Sequence, residues 1–256
     1  MSEWNKHIDA LREQKLVFNE EKLKLTDGFY NIDDHGWVPL EFLHELEVFT
    51  DEKSGLCTGM DAVSRTFVSF IDSHPPYVNP DSACAGGWLR FFPIPATNWR
   101  PEECWQEHED ILVKYNVITR GIYGLNHSGP DLRIGLDLGW GGLLEKVQHF
   151  RKLNTEASHE FYDGEERVIK ALQRLISRTA VFARELASKE PDAWKKQNLI
   201  EIAGINEYLV NGVPRTLREA VQWMVWYEAV DRMYYGGGDT DQPIPSLENC
   251  RGTQRW

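Results

Sequence analysis

Glycines crowd one short stretch of the sequence, and glycine-rich loops before helices are a common way to bind phosphate. Residues 126–147 read NHSGPDLRIGLDLGWGGLLEKV and contain five glycines. A phosphate loop requires G-x-x-x-x-G-K-[ST], which is absent, and the dinucleotide motif G-x-G-x-x-G fails because Leu144 stands at its third glycine. Gly135, Gly139 and Gly142 are spaced four and three residues apart, so a helix would place them on one face. We therefore predict that these glycines let another backbone pack closely.

Residues that could bind metal or act as nucleophiles are sparse. Glu41 and His44 have the E-x-x-H spacing of di-iron bundles, but such bundles need two of these pairs and two further glutamates. The motifs H-E-x-x-H and G-x-S-x-G are both absent. His35 is predicted to lie in a turn, and the pair Glu107-His108 on a solvated helix face. The sequence therefore predicts no metal site, no cofactor-binding residue and no catalytic residue.

The bulk composition bears on compartment and partners. The 256 residues carry 28 basic and 40 acidic side chains, a formal charge of −12, so a phosphate backbone would repel the chain and nucleic-acid binding is not expected. The N-terminus lacks the apolar region of a signal peptide, and no apolar stretch is long enough to span a bilayer. The four cysteines show no C-x-x-C spacing, which is typical of reduced thiols in a cytoplasmic protein. They are Cys57, Cys84, Cys104 and Cys250.

Helical periodicity dominates the rest of the chain. Apolar residues recur at three- and four-residue spacing through two long stretches, 156–189 and 214–233, and Thr216 with Glu219 forms a capping-box pattern at the start of the second. A β-branched run at 117–124 favours a strand. Further helices are predicted over 1–25, 39–55, 61–74, 101–117 and 192–208.

One segment breaks this helical pattern. Residues 72–101 hold six of the twelve prolines, which remove backbone donors and exclude a long helix. The segment also carries large apolar side chains such as Trp88 and Phe92, which a flexible linker would not. We predict an ordered, irregular stretch that lies against the core.

Four stretches, in order, resemble the pyruvate formate-lyase-like glycyl radical enzymes. The glycine stretch 126–147 is similar to that family's G-H-x-x-P-D segment. Residues 161–187 and 199–228 resemble two of its helical segments, and residues 235–244 resemble a G-R-x-D-Q turn, with Asp239 where arginine is expected. The likeness covers residues 120–243. In the first stretch the matching positions are His127, Pro130, Asp131, Leu136, Gly139, Gly142, Leu143 and Glu145.

The resemblance implies a fold and a division of the chain. The expected class is mostly α, forming the N-terminal helical part of a glycyl-radical-type α/β barrel that is truncated before the barrel is complete. Residues 1–119 would form a helical and Pro/Trp-rich wrap, 120–243 the pyruvate formate-lyase-like helical segment, and 244–256 an irregular tail. Helices that normally pack around barrel strands would then leave apolar inner faces exposed.

The resemblance also implies one site residue. His127 falls where the formate-lyase members place an arginine that meets the substrate carboxylate. His127 would therefore line the substrate cavity, and its replacement of arginine argues against pyruvate as substrate. The other interpretation is a histidine at a helix start whose ring bonds the backbone.

Family catalysis needs a mid-chain cysteine in a G-C-x-E context and a C-terminal glycine in an R-V-x-G loop. Neither motif is present. The leading hypothesis is an N-terminal fragment or split subunit of a glycyl radical enzyme, a lyase, dehydratase, decarboxylase or formate acetyltransferase that is not catalytic alone. A complete enzyme would carry a glycyl radical installed by a radical-SAM activating enzyme. The expected partner is the C-terminal half of that enzyme.

Two alternatives remain open at this stage. The chain could be a binding or oligomerisation module derived from the family, which associates with itself or with a partner through an exposed apolar face. It could also be an independent small helical enzyme, which ranks last because no acid/base pair or nucleophile emerges at useful spacing.

Overall fold

The computed structural model describes residues 3–25, 47–53, 55–86 and 131–235. Every regular element in these ranges is helical, and they contain no strand. A short 3₁₀ turn, Glu156–Ser158, joins the third and fourth helices. The α-helices are α1 (Glu3–Leu25), α2 (Gly59–Ser73), α3 (Leu132–Leu153), α4 (His159–Lys189), α5 (Ala193–Leu209) and α6 (Leu217–Tyr235).

Helix α4 is the centre of the core. It packs against α2, α3 and α5, and α6 lies against α3 and α5. Its spacing of apolar and small residues produces one continuous buried stripe, as the periodicity predicted. The fully or nearly fully buried members of that stripe are Ala171, Leu172, Leu175, Ile176, Thr179 and Ala183.

The prediction of exposed inner faces was wrong for this stripe. Instead of facing an absent barrel, the α4 stripe is covered by α2 on one side, which contributes buried Phe67, Phe70 and Ile71. Helix α2 comes from the N-terminal part of the chain, so residues distant in sequence supply the cover. Periodicity shows that a face is apolar, but it cannot show which element buries it.

An irregular segment, residues 74–86, follows α2 and lies on α5 and α6. Ala85 is buried, and its backbone N–H and C=O bond Oε1 and Nε2 of Gln222 at 2.7 and 3.0 Å. Asn198 of α5 donates to the carbonyls of Pro80 and Ser82. These side chains replace the backbone pairing that the prolines prevent, which confirms the predicted ordered, irregular stretch over its described part.

Helix α1 is held to this segment mainly by polar groups. His7 stacks on Trp194 with ring centroids 3.5 Å apart, and its Nδ1 lies 2.7 Å from the Asp81 carboxylate. Lys195 Nζ reaches the other Asp81 oxygen at 2.9 Å. Burial raises the pKa of Asp81, but its bonds to His7 and Lys195 outweigh burial and hold the pKa below its usual value.

The structure confirms most of the helices that the sequence predicts. The helices over 1–25, 61–74, 156–189, 192–208 and 214–233 are confirmed within a few residues. The predicted helix at 39–55 is wrong over residues 47–53, which contain no helix. The helix at 101–117, the strand at 117–124 and the proposed boundaries at 119 and 243 lie outside the described residues. Within the described ranges no helix is long and apolar enough to cross a membrane.

Candidate functional site

The site implied by the sequence begins at His127, which lies outside the described residues, as do Glu41, His44 and Cys250. What the structure describes is the helix that follows His127 and everything that helix packs against. The candidate site is therefore built from α3, the loop 210–216 and the start of α6.

Helix α3 begins with a strong local cap. The Asp131 side chain accepts a hydrogen bond from the backbone N–H of Arg133 at 3.1 Å, which satisfies one of the free donors of the first turn. The Arg133 guanidinium also pairs with both Asp131 oxygens, at 2.9 and 2.8 Å, and these bonds lower the pKa of Asp131. The cap fixes where the helix starts, at Leu132, five residues after His127.

The first glycine of α3 makes room for an indole ring. A Cβ built on Gly135 would lie 2.0 Å from Cη2 of Trp223, well inside contact distance. Trp223 in turn stacks on Trp140 at 4.6 Å and on Tyr227 at 5.9 Å between ring centroids. Both indoles are buried, and neither indole N–H has a hydrogen-bond partner among the described residues.

The next glycines bring two backbones together. Gly139 has φ +62° and ψ 178°, a conformation that is essentially restricted to glycine, and it kinks α3. A Cβ at Gly139 would lie 2.5 Å from the carbonyl oxygen of Gly212, and one at Gly141 would lie 2.5 Å from that of Asn211. Close backbone packing is thus confirmed. The predicted shared face is wrong for Gly142, whose Cβ would meet Leu138 of the same helix, because the kink rotates the second half of α3.

The loop 210–216 that α3 contacts is itself held in place. Gln173 Nε2 donates to the carbonyl of Val210 and to Asn211 Oδ1, at 2.9 and 3.0 Å. Tyr208 donates its hydroxyl to the carbonyl of Val213 at 3.0 Å. These bonds hold the α5–α6 connection in one conformation and fix the surface on which the kink of α3 packs.

The predicted capping box is confirmed at the start of α6. The Glu219 N–H donates to Thr216 Oγ1 at 3.2 Å, and Glu219 Oε2 accepts from the Thr216 N–H at 3.3 Å. Arg215 adds an ion pair at 2.7 Å, and its hydrogen bonds lower the pKa of the buried Glu219 carboxyl. A local motif in the sequence therefore locates the boundary of α6 correctly.

Reactive groups are scarce in this part of the molecule. Burial raises the pKa of the Cys84 thiol to about 12, so Cys84 stays protonated and is a poor nucleophile. Cys57 is a buried thiol that donates to Thr66 Oγ1. Among the described residues, no group of histidine, cysteine, aspartate and glutamate side chains could hold a metal ion. Within the described residues, the contacts among α3, the loop 210–216 and α6 therefore serve to position the start of α3.

An open cleft between the second half of α3 and the first half of α4 was not foreseen from the sequence. Its walls are mostly apolar, and the half-buried Glu165 contributes a carboxylate. Glu165 occupies one position in a charged run on α4, and nothing in that run distinguishes it from its neighbours. The only sequence signal for the cleft was the helical spacing of the apolar residues at positions 143, 147 and 150.

Comparison with protein families matches residues 102–234, slightly more than half of the chain, to the pyruvate formate lyase-like family. The chain belongs to that family, and the matched span includes the glycine-bearing helix, the loop 210–216 and most of α6. No curated protein matches the chain in sequence.

Several solved structures share this fold. A glycyl radical enzyme from Archaeoglobus fulgidus aligns with a TM-score of 0.59 and 16% identity, over 86% of this chain and 32% of that one. A Roseburia inulinivorans protein described for 1,2-propanediol dehydration gives 0.57 and 18%, over 71% and 28%. The B12-independent glycerol dehydratase of Clostridium butyricum gives 0.53 and 15%, over 68% and 29%. The chain spans about a third of the length of these structures.

Proposed function

We propose that this chain acts as the N-terminal part of a glycyl radical enzyme whose thiyl cysteine and radical glycine lie outside residues 1–256. The observation that carries the proposal is the family match over residues 102–234, together with alignments that use only 28–32% of the matched structures. The 256-residue sequence contains neither the G-C-x-E nor the R-V-x-G motif, so the residues present do not fit the radical. No radical step is derived from them.

The role proposed for this chain is to form part of the substrate cavity. His127 would contact the substrate, and the cap at Asp131 and the glycine contacts of α3 would hold the preceding loop in register. Positioning of this kind matters because a reacting group displaced by about 1 Å can lose a large part of the rate. The reaction class stays open among lyase, dehydratase, decarboxylase and formate acetyltransferase activities.

Anaerobic reconstitution tests the proposal. The chain is co-expressed with a candidate C-terminal chain and a radical-SAM activating enzyme, and electron paramagnetic resonance is recorded. A glycyl doublet, with turnover of glycerol, 1,2-propanediol or pyruvate only when all three are present, is the expected result. If the C-terminal chain gives the same radical and the same turnover without this chain, the proposal is wrong.

Variants of His127 test its role within that complex. His127→Ala should leave the radical signal intact and raise KM, because a substrate contact is lost. A matched variant at the exposed Lys152, Lys152→Ala, should change neither. An unchanged KM for His127→Ala would assign the residue a structural role instead.

Self-association is a second candidate, favoured by exposed apolar side chains on the described surface. Leu217 is 82% exposed and Leu153 67% exposed. Sedimentation velocity of the isolated chain should then show a concentration-dependent dimer that weakens in Leu217→Glu or Leu153→Glu. A monodisperse monomer over the full concentration range would exclude this candidate.

A further inference from the structure

The cleft between α3 and α4 has the size and lining of a small-molecule site. Its volume is about 450 Å³, within the usual range of roughly 300–1,000 Å³ for ligand pockets. Phe150, on its rim, is 42% exposed although it is a large apolar residue. The remaining wall residues are Met60, Leu143, Lys146, Val147, Tyr162, Gly164, Glu165, Val168 and Ile169.

One polar group in this lining lacks a partner. Glu165 makes no hydrogen bond or ion pair with any residue that the structure describes, although it is half-buried. Burial raises its pKa, and no neighbouring charge offsets that effect. The adjacent Glu166 shows the contrast, because it accepts from Lys170 Nζ and Gln148 Nε2 at 2.5 and 3.1 Å. A cationic ligand would therefore stabilise this half-buried carboxylate, which has no protein partner.

The other polar residues of the lining do not act as partners of the Glu165 carboxylate. Tyr162 accepts a hydrogen bond from Asn154 Nδ2 at 2.9 Å and makes no hydrogen bond with Glu165. Lys146 lies on α3 and is exposed, and it makes no ion pair with Glu165. An exposed lysine can keep its ammonium in water while its aliphatic stem covers apolar surface.

We propose that this cleft binds a small molecule with an apolar chain or ring that carries an ammonium group. The apolar part lies against the walls formed by Leu143, Val147 and Val168, and the ammonium pairs with the Glu165 carboxylate. Charge complementarity selects this class over neutral or acidic amphiphiles, because only a cation compensates the unpaired carboxylate.

Three probes with the same alkyl chain test the charge preference. Octylamine, octan-1-ol and octanoate are titrated into the full chain at pH 7.5, and heat of binding is measured. Octylamine should bind about tenfold more tightly than octan-1-ol, in keeping with a charge-assisted hydrogen bond, and octanoate should bind most weakly. Absence of octylamine binding, or octanoate binding as tight as octylamine, overturns the proposal.

Two variants test whether Glu165 causes the preference for octylamine. Glu165→Gln should bring octylamine to within about twofold of octan-1-ol, whereas Glu166→Gln should keep the tenfold gap, because Glu166 does not line the cleft. Octylamine affinity should also fall on acidification as Glu165 takes up a proton, and Glu165→Gln should remove that dependence. A tenfold gap that persists in Glu165→Gln contradicts the proposal. None of these readouts requires radical activity, so they are independent of the split-enzyme hypothesis.

Discussion

The two halves of helix α3 meet their neighbours in opposite ways. The first half packs closely on Trp223 and on the loop 210–216. Even a Cβ atom at Gly135 or Gly139 would overlap a neighbouring atom. The second half, from Leu143 onward, is joined to α4 by the hydrogen bond from Gln148 to Glu166, but it also lines a cleft of about 450 Å³. One half of the helix is therefore tightly packed, and the other half lines an accessible cleft.

This difference shows where the chain is intolerant of change. Tight backbone packing transmits strain, since interiors are close-packed and cannot absorb an added methyl group without shifting a neighbour. An open cleft absorbs the same change by losing empty volume. The comparison can be tested by placing similar substitutions at the tight contacts of α3 and in the lining of the cleft.

Gly139→Ala should produce the largest effect. The added Cβ would meet the Gly212 carbonyl at 2.5 Å, and alanine is strained at φ +62°. We expect the free energy of unfolding to fall by about 4 kcal/mol, the sum of overpacking and backbone strain. Urea denaturation followed by circular dichroism measures it.

The matched control for Gly139→Ala is Gly204→Ala in α5. A Cβ there has no neighbour within 4 Å, so the helix should gain about 0.5–1 kcal/mol of stability. Equal effects at the two positions would contradict the close-packing interpretation.

Gly135→Ala should be the next most damaging change, lowering stability by about 2–3 kcal/mol through its clash with the Trp223 ring. Trp223→Phe removes the ring atoms involved. A double-mutant cycle should therefore give a favourable coupling above about 1 kcal/mol. Simple additivity of the two single variants would show that the indole is not what excludes a side chain at Gly135.

Gly164→Ala places the same methyl group in the cleft. Its closest contact would be Met60 Cε at 3.1 Å, the flexible end of a side chain that can turn away. The helix-propensity gain should offset the contact, and stability should change by less than about 0.5 kcal/mol. A loss comparable to that of Gly135→Ala would mean that the cleft is not adaptable.

Glu165→Gln should produce the smallest effect, with a distinctive pH dependence. Because burial raises the pKa of Glu165 in the folded chain, the unfolded chain releases its proton first, and stability falls as pH rises from the unfolded value through the folded one. At pH 7 the variant should be more stable than the unmodified chain by about 0.3 kcal/mol, a small difference because Glu165 is partly exposed to solvent. The two proteins should converge below the unfolded pKa.

The neighbouring Glu166→Gln should change stability in the opposite direction. Its hydrogen bond with Lys170 lowers the pKa of Glu166, so its contribution is present above the unfolded pKa and is lost as pH falls. Thermal unfolding across pH 3–8 separates the two residues. The same sign for both variants would contradict the assignment of Glu165 as unpaired.

Local patterns were sufficient for much of the helical framework. Periodicity located α2, α4, α5 and α6, and the capping box at Thr216 and Glu219 located the start of α6, because such signals depend only on residues within one or two turns. The ordered motifs also indicated the pyruvate formate lyase-like family, which the match over residues 102–234 confirms. The roles of His127 and of a separate C-terminal chain stay predictions.

Tertiary structure decided what those elements contact. The sequence indicated that the glycines of α3 permit a close approach, but only the structure identifies Trp223 and Gly212 as the neighbours and places a kink at Gly139. It also shows that α2 covers the α4 stripe, and that Glu165 alone of its charged run faces the cleft. Packing of the whole core determines which helices contact each other across more than a hundred residues of chain. A periodic pattern shows that one face of a helix is apolar, but it does not show which distant surface covers that face.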